Sequence, residues 1–232
     1  FPLAGRRNLC YPMRNFPIVR SVNEMRHAGT QELETHRLLL RRLLPADADM
    51  MYRNWASDPA VTRHLRWQPH KSPAETRELL SAWAELYPNP DYYQWAIVEK
   101  ATGQVFGSIG IFNAALGDAA QKARWPRQDC ANGVWEAGYC IGQNWWGRGF
   151  ASEALRAVVR YWFCNTDSNW LACIYAKDNP VSGRVMEKAG FVYDHDAVDH
   201  KFDGTPVECR CCLLTRERYN KIDPRPCSLR HR

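Results

Sequence analysis

Apolar positions in this chain fall into short runs and helix-spaced stripes, punctuated by Pro, Gly, Asp and Asn. Leu38-Leu39-Leu40, flanked by arginines, reads as a first strand. Pro45-Ala46-Asp47 opens a helix that carries Met51 and Trp55. Ser72-Pro73-Ala74-Glu75 joins a capping Ser, a first-turn Pro and a Glu three residues after the Ser. That start predicts a helix to about Leu86, ended by Pro88, since proline disfavours helical backbone at the residue before it. Tyr93–Glu99, a turn at Thr102-Gly103 and Val105–Phe112 read as a β-hairpin. Residues 113–132 form a long connection, a length at which loops are often functional. Gly133–Ile141 is a further strand. Residues 150–165 place Ala151, Leu155, Val158, Val159 and Trp162 on one helical face. Trp170–Ala176 is a strand, Val181–Ala189 a short helix and Phe191–Val198 another strand. Asp203-Gly204 then signals a hairpin turn into Val207–Thr215. The order is βααβββαβαββ, a single mixed α/β domain over residues 35–219. Residues 1–34 lack sustained periodicity and read as a loosely ordered extension, and 220–232 as a basic tail.

Composition narrows the class. The chain has 232 residues, 45% hydrophobic and 24% charged, which is ordinary for a globular domain. No window approaches the roughly 18 unbroken apolar residues of a membrane span, and the opening stretch lacks the apolar core of a signal peptide. The expectation is a cytoplasmic protein, monomer or homodimer, without membrane contact. The net charge of +6 sits at the ends: five Arg against three Glu in residues 1–34, six Lys or Arg against two acids in 215–232. The body between them is neutral, so nucleic acid is not an expected partner except through the tails. Nine cysteines are an odd count. They are expected as reduced, buried thiols, Cys10 at the start included. Cys209 and Cys212 have CxxC spacing but lie on a predicted strand, which points them to opposite faces and spoils them as a ligand pair. No metal is expected.

The chemistry concentrates where the strand ending in Cys140-Ile141 meets the next helix. The intervening turn runs Trp145-Trp146-Gly147-Arg148-Gly149, followed by Phe150-Ala151-Ser152-Glu153-Ala154. A helix N-terminus presents unpaired N–H groups and partial positive charge, so this turn is a natural anion site. Two glycines let backbone approach a phosphate, although Gly-x-Gly also serves tight strand–helix turns for structural reasons alone. No Lys-Ser/Thr follows, as a P-loop requires, and the dinucleotide fingerprint lacks its third glycine at Ser152. Further on, Asp178-Asn179-Pro180-Val181-Ser182 starts a helix that ends in Glu187-Lys188-Ala189-Gly190-Phe191.

Taken together these segments resemble the GNAT superfamily of acyl-CoA N-acyltransferases, in its RimJ/RimL-like branch, from about Thr35 to Tyr219. The matching parts are the Trp-Gly-x-Gly-Phe-Ala-x-Glu-Ala turn and helix, the Asn-x-x-Ser helix start and the Glu-Lys-x-Gly-Phe ending. The resemblance implies a mostly antiparallel sheet flanked by helices and an N-acetyltransferase using acetyl-CoA. It implies pyrophosphate binding by backbone at Trp146, Gly147, Arg148, Gly149, Phe150 and Ala151, with Cys140 and Ile141 at the adjoining strand end. The Arg148 side chain either reaches a phosphate or is solvated. The wider family signature has Gln or Arg where this chain has Asn144. Asn179 matches an asparagine that contacts the cofactor arm, or it is a helix cap.

Acetyl transfer needs an amine to lose a proton and a thiolate to gain one. Many relatives supply the second proton from a tyrosine, but Met186 stands at that position. Ser182 matches a serine used near the leaving sulfur, and serine at a helix start is also a common cap. Glu136 is the candidate base: in the strand it alternates with Trp135, Ala137 and Tyr139 and shares a face with the small Gly138 and Cys140. An outward-facing carboxylate is the other reading. His195 and His200 lie in the late hairpin, where surface histidines are common. An α-amine with pKa about 7.8 needs roughly 1 kcal/mol to become neutral at pH 7, and a lysine at about 10.4 roughly 4.6. The acceptor class, a protein N-terminus or a small-molecule amine, stays open. Trp55, Trp67, Trp83, Trp125 and the 113–132 connection are expected to shape its cleft, with core packing the other role for the tryptophans. A non-catalytic acyl-CoA-binding or ribosome-docking protein is the alternative.

Overall fold

Eight strands build one sheet in a computed structural model that describes residues 25–114 and 122–227. In chain order they are β1 (Leu33–Glu34), β2 (Leu38–Arg41), β3 (Tyr93–Glu99), β4 (Val105–Asn113), β5 (Trp135–Ile141), β6 (Trp170–Ala176), β7 (Val192–His200) and β8 (Pro206–Thr215). Across the sheet the order is β1-β2-β3-β4-β5-β6-β8-β7. Neighbours pair antiparallel except β5 with β6, which run parallel and are joined by a helical crossover. That parallel pairing holds at Glu136 with Ala172 and Ala137 with Cys173. Beyond it the strands part. The mixed, mostly antiparallel α/β architecture is the expected one.

Helices cover both faces. Strand β3 alternates as period-2 geometry requires: Tyr93, Trp95 and Ile97 meet one core, Ala96 and Val98 the other. The first core packs against α4 (Phe150–Asn165), through Leu155, Val159 and Trp162. The second packs against α1 (Ala48–Met51), α2 (Pro59–Thr62) and α3 (Pro73–Leu86), through Met51, Val61 and Leu80. Helix α3 starts as expected, with Ser72 Oγ accepting from Glu75 N. The helix expected from Pro45 is broken instead. A 3-10 turn (Pro45–Asp47), α1 and a π turn (Tyr52–Ala56) succeed one another. Asp58, extended before Pro59, then caps α2. Helix α5 (Pro180–Lys188) follows β6.

Three further expectations are corrected. Residues 25–34 are not a loose extension: Met25 is buried, Trp95 Nε1 donates to Gln31 O at 2.6 Å, and β1 pairs with β2. Residues 1–24 lie outside the described residues. An unforeseen helix, α6 (Arg216–Ile222), follows β8, and the chain beyond it is tied down. Arg160 pairs with Asp223 at 2.8 Å and donates to Pro226 O. Finally, not all cysteines are thiols, because Cys164 and Cys227 form a disulfide. Cys211 and Cys212 do face opposite cores, and Cys209 shares the parity of Cys211. Cys10 is outside the described residues.

Arg216 shows how β8 and α4 are locked. Its guanidinium donates to the carbonyls of Ser168, Phe163 and Thr166 at 2.9, 2.7 and 2.9 Å. It thereby satisfies the C-terminal end of α4 with positive charge. Arg216→Ala is expected to cost about 2–4 kcal/mol in urea unfolding, and Arg216→Lys to recover only part, because an ammonium lacks the planar fork.

Candidate active site

Strand β5 runs into a 3-10 turn (Gln143–Trp145), then Trp146-Gly147-Arg148-Gly149, then α4. Gly147 and Gly149 have φ of +72° and +80°, a left-handed backbone that costs other residues roughly 1–2 kcal/mol. Gly149 is the N-cap of α4, and no side chain caps it. Asp58, Ser72, Asn179 and Thr215 do cap the helices they precede. The first N–H groups of α4 therefore have neither an intrahelical acceptor nor a side-chain cap among the described residues.

Charged clamps hold this turn from behind. Glu153 accepts from Thr35 Oγ1 at 2.6 Å and from Arg37 N and Nε at 2.9 and 2.7 Å. Arg37 also donates to Arg148 O and lies over the Phe150 ring. Arg148 donates to Glu99 Oε1 at 2.8 Å, beside a bond from Trp145 Nε1 to Glu99 Oε2. Burial pushes the Glu99 carboxyl up, but bonds from Trp145 and Thr102 and the Arg148 charge outweigh it and hold the pKa below the usual value. The Arg148 side chain thus stays half exposed to solvent and is ion-paired with Glu99.

Where β5 and β6 part, a cavity of about 1360 Å³ opens. Glu136, Cys140, Ile141, Trp146, Gly147, Gly149, Phe150, Ala151, Asn179 and Ser182 all line it, and Arg148 does not. Elements far apart in sequence therefore bring nearly every expected site residue to one space. Trp67 and Trp83 line it too, whereas Trp55 and Trp125 are buried in the adjoining cores and do not reach it. Residues 115–121 of the expected insertion lie outside the described residues.

Glu136 is buried, not outward-facing. Burial pushes its carboxyl up to about 7; Arg66 and Arg124 pull it down and Asp199 pushes it up. Those three form a cluster of their own. Arg66 holds Asp199 with bonds of 2.6 and 3.0 Å, and Arg124 reaches Asp199 Oδ1 at 3.2 Å. A carboxyl titrating near neutrality can take a proton from an amine and release it again.

At the start of α5, Asn179 is the cap: its side chain accepts from Ser182 N. Ser182 is freed for another task, and its Oγ lies 2.8 Å from the Tyr139 hydroxyl. Tyr139, Arg66, Arg124 and Asp199 were not singled out from the sequence. Tyr139 sits inside the noted strand, but no local pattern says what its hydroxyl meets. Of the two histidines, His200 is an exposed residue at the cavity edge, while His195 is half-buried, with Nδ1 2.6 Å from Asp194 and its ring against Trp125. Among the described residues no cluster of His, Cys, Asp or Glu is arranged for a metal ion, and no helix is long and apolar enough to cross a membrane.

Residues 37–192 match the acetyltransferase (GNAT) domain. The chain is 30% identical over 194 residues to an uncharacterized N-acetyltransferase, p20, of Bacillus licheniformis, covering 82% of this chain and 98% of that protein. It is 25% identical over 175 residues to the [ribosomal protein uS5]-alanine N-acetyltransferase of Escherichia coli, covering 72% and 81%. Among solved structures, spermidine N-acetyltransferase from Vibrio cholerae in complex with CoA and spermine superposes with a TM-score of 0.60 at 16% identity, over 80% of this chain and 99% of that one.

The raised Glu136 pKa makes stability depend on pH. The folded chain binds this proton more tightly than the unfolded chain. The resulting stabilisation is complete below the ordinary value of 4.5 and is lost as pH rises through about 7. Relative to Glu136→Gln, the wild type should therefore lose up to about 3 kcal/mol between pH 4.5 and 8. Urea unfolding of both proteins across that range checks it, and parallel stability curves would mean the carboxyl is not held in low dielectric.

Proposed function

The chain belongs to the GNAT acetyltransferase family and is an N-acetyltransferase, and from that premise we propose that it moves an acetyl group from acetyl-CoA to a primary amine by direct attack on the thioester. The observation that carries this reading is the uncapped, glycine-built N-terminus of α4, opening on the same cavity as the buried Glu136. A pyrophosphate fits that turn: its charge meets the helix dipole, and the backbone of residues 146–151 supplies donors without side chains in the way. Past Ala137, β5 pairs with β4 but not with β6, which leaves one backbone edge along residues 138–140 for the amides of the cofactor's arm, while Ile141 O accepts from Trp146 Nε1 at 2.7 Å. Cys140 and Ile141 belong to that strand end, and Asn179 lines the same cavity.

Acetyl-CoA supplies the activated acetyl group, and the residues of this chain supply proton handling and position. Ionised Glu136 accepts the proton of the acceptor amine. A pKa near 7 keeps the carboxylate populated at neutral pH while leaving it basic enough to work. Ser182 offers a hydroxyl where the thiol departs. The acceptor is a protein N-terminus or a small amine. The relative named for a ribosomal-protein alanine and the structural neighbour named for spermidine represent one of each.

Thiol release from acetyl-CoA, measured alone and with alanyl peptides, lysine peptides and spermidine, tests the reading. One amine should accelerate release strongly. Tight acetyl-CoA binding with no accelerating amine would favour the non-catalytic alternative. With that acceptor, Glu136→Gln should lose roughly tenfold to a thousandfold in turnover at pH 7, and the deficit should shrink as pH rises and the amine deprotonates unaided. Ser182→Ala should lose activity without that rescue. A pH-independent deficit in Glu136→Gln would count against the base assignment.

A further inference from the structure

Ser182 does not face the cavity alone. The Tyr139 phenol, brought in from β5, lies 2.8 Å from Ser182 Oγ and 3.0 Å from the Ser182 carbonyl oxygen. Counting protons constrains this pair. A carbonyl only accepts, so the second contact uses the single proton of the phenol. Ser182 Oγ–H must then donate back to the phenol oxygen, and no hydroxyl proton is left for the cavity. If the phenol donates to Ser182 Oγ instead, the serine proton is released to a third partner. The two arrangements share their heavy-atom positions and differ by rotation of two O–H bonds.

The surroundings favour a working pair over an incidental contact. Both residues line the cavity at the point where β5 and β6 part. Helix α5 is held close to β6 by Gly183, where a Cβ would lie 2.6 Å from the Tyr175 ring. Ser182 is thereby kept within reach of β5. Burial raises the Tyr139 phenol beyond its ordinary range, so it stays protonated and remains a donor throughout the neutral pH range. Met186, further along α5, is buried and has no proton to offer.

We propose that Tyr139 is the positioning residue of the leaving-group site: its phenol donates to Ser182 Oγ and turns the serine proton onto the departing sulfur of the acyl thioester. This rests on the assignment of Ser182 made above. In the step, the amine nitrogen bonds to the acetyl carbon and the carbon–sulfur bond breaks, leaving its electron pair on sulfur. The proton shed by nitrogen leaves through Glu136, and the sulfur regains one from water. Ser182 keeps its own proton, since an alcohol is too weak an acid to protonate a thiolate. Its contribution is a hydrogen bond to charge that exists only as the bond breaks, strengthened by the phenol behind it.

Thiol release from acetyl-CoA with hydroxylamine at pH 7.5 isolates this half of the reaction, because hydroxylamine is small and already neutral. Tyr139→Phe and Ser182→Ala should each lower kcat by roughly tenfold to a hundredfold with the KM for acetyl-CoA unchanged. The double variant should be no slower than the slower single one, since the two hydroxyls act as a unit. Ser182→Thr should retain activity, and lose it when combined with Tyr139→Phe. Thermal melts confirm that each variant is folded, and the Ser182→Thr arm keeps Tyr139 intact. Losses that multiply in the double variant would mean independent roles and overturn the proposal. Wild-type rates in Tyr139→Phe with a slow Ser182→Ala would overturn it and leave the serine assignment standing. A fully active Ser182→Ala would remove both.

Discussion

Parallel pairing of β5 with β6 ends at Ala137 and Cys173, and the site depends on that ending. Up to this point the sheet is continuous and each strand satisfies its neighbour. Past it, β5 remains bonded to β4 and β6 to β8, but the two no longer pair with each other, so one edge of β5 has no strand partner. Had the pairing continued, residues 138–141 would be sealed inside the sheet. Then α4 would start against a closed wall, and Glu136 would have no cavity to serve. The opening is kept by packing on either side: Leu155 and Val159 of α4 under one face, and Trp83 and Leu80 of α3 under the other.

Two kinds of electrostatics operate in this space, at different depths. At the mouth, the α4 N-terminus offers backbone donors and a helix dipole, while its charged side chains face backward. Glu153 is spent on Arg37 and Thr35, and Arg148 on Glu99. That arrangement makes the turn rigid without placing a competing anion in front of it. Deeper in, Glu136 is the buried carboxyl, and its charge is balanced by Arg66 and Arg124 against Asp199. Asp199 reaches this cluster from β7, Arg66 from the segment after α2, and Arg124 from the connection before β5. Three otherwise separate parts of the chain thus set the proton affinity of one side chain.

What the sequence determined by itself was local and periodic. The strands at 93–99 and 170–176, the helix at 150–165 and the Ser72 cap were legible because side-chain alternation and capping involve residues within a few positions of each other. The glycine turn was legible for the same reason, as was the division of Cys209 and Cys212 between faces. The tertiary structure alone decided what lies across each face. It buried Glu136, gave the cap to Asn179 so that Ser182 could meet Tyr139, and turned Arg148 to Glu99. It also packed residues 25–34 onto the sheet and joined Cys164 to Cys227. Those partners are separated by 43 residues for Tyr139 and Ser182, 49 for Arg148 and Glu99, and 133 for Arg66 and Asp199. Periodicity reports which side chains share a face of one element. It carries no information about which other element will be pressed against that face, and at this site the proton affinity of Glu136 and the partner of the Ser182 hydroxyl are set by that second element.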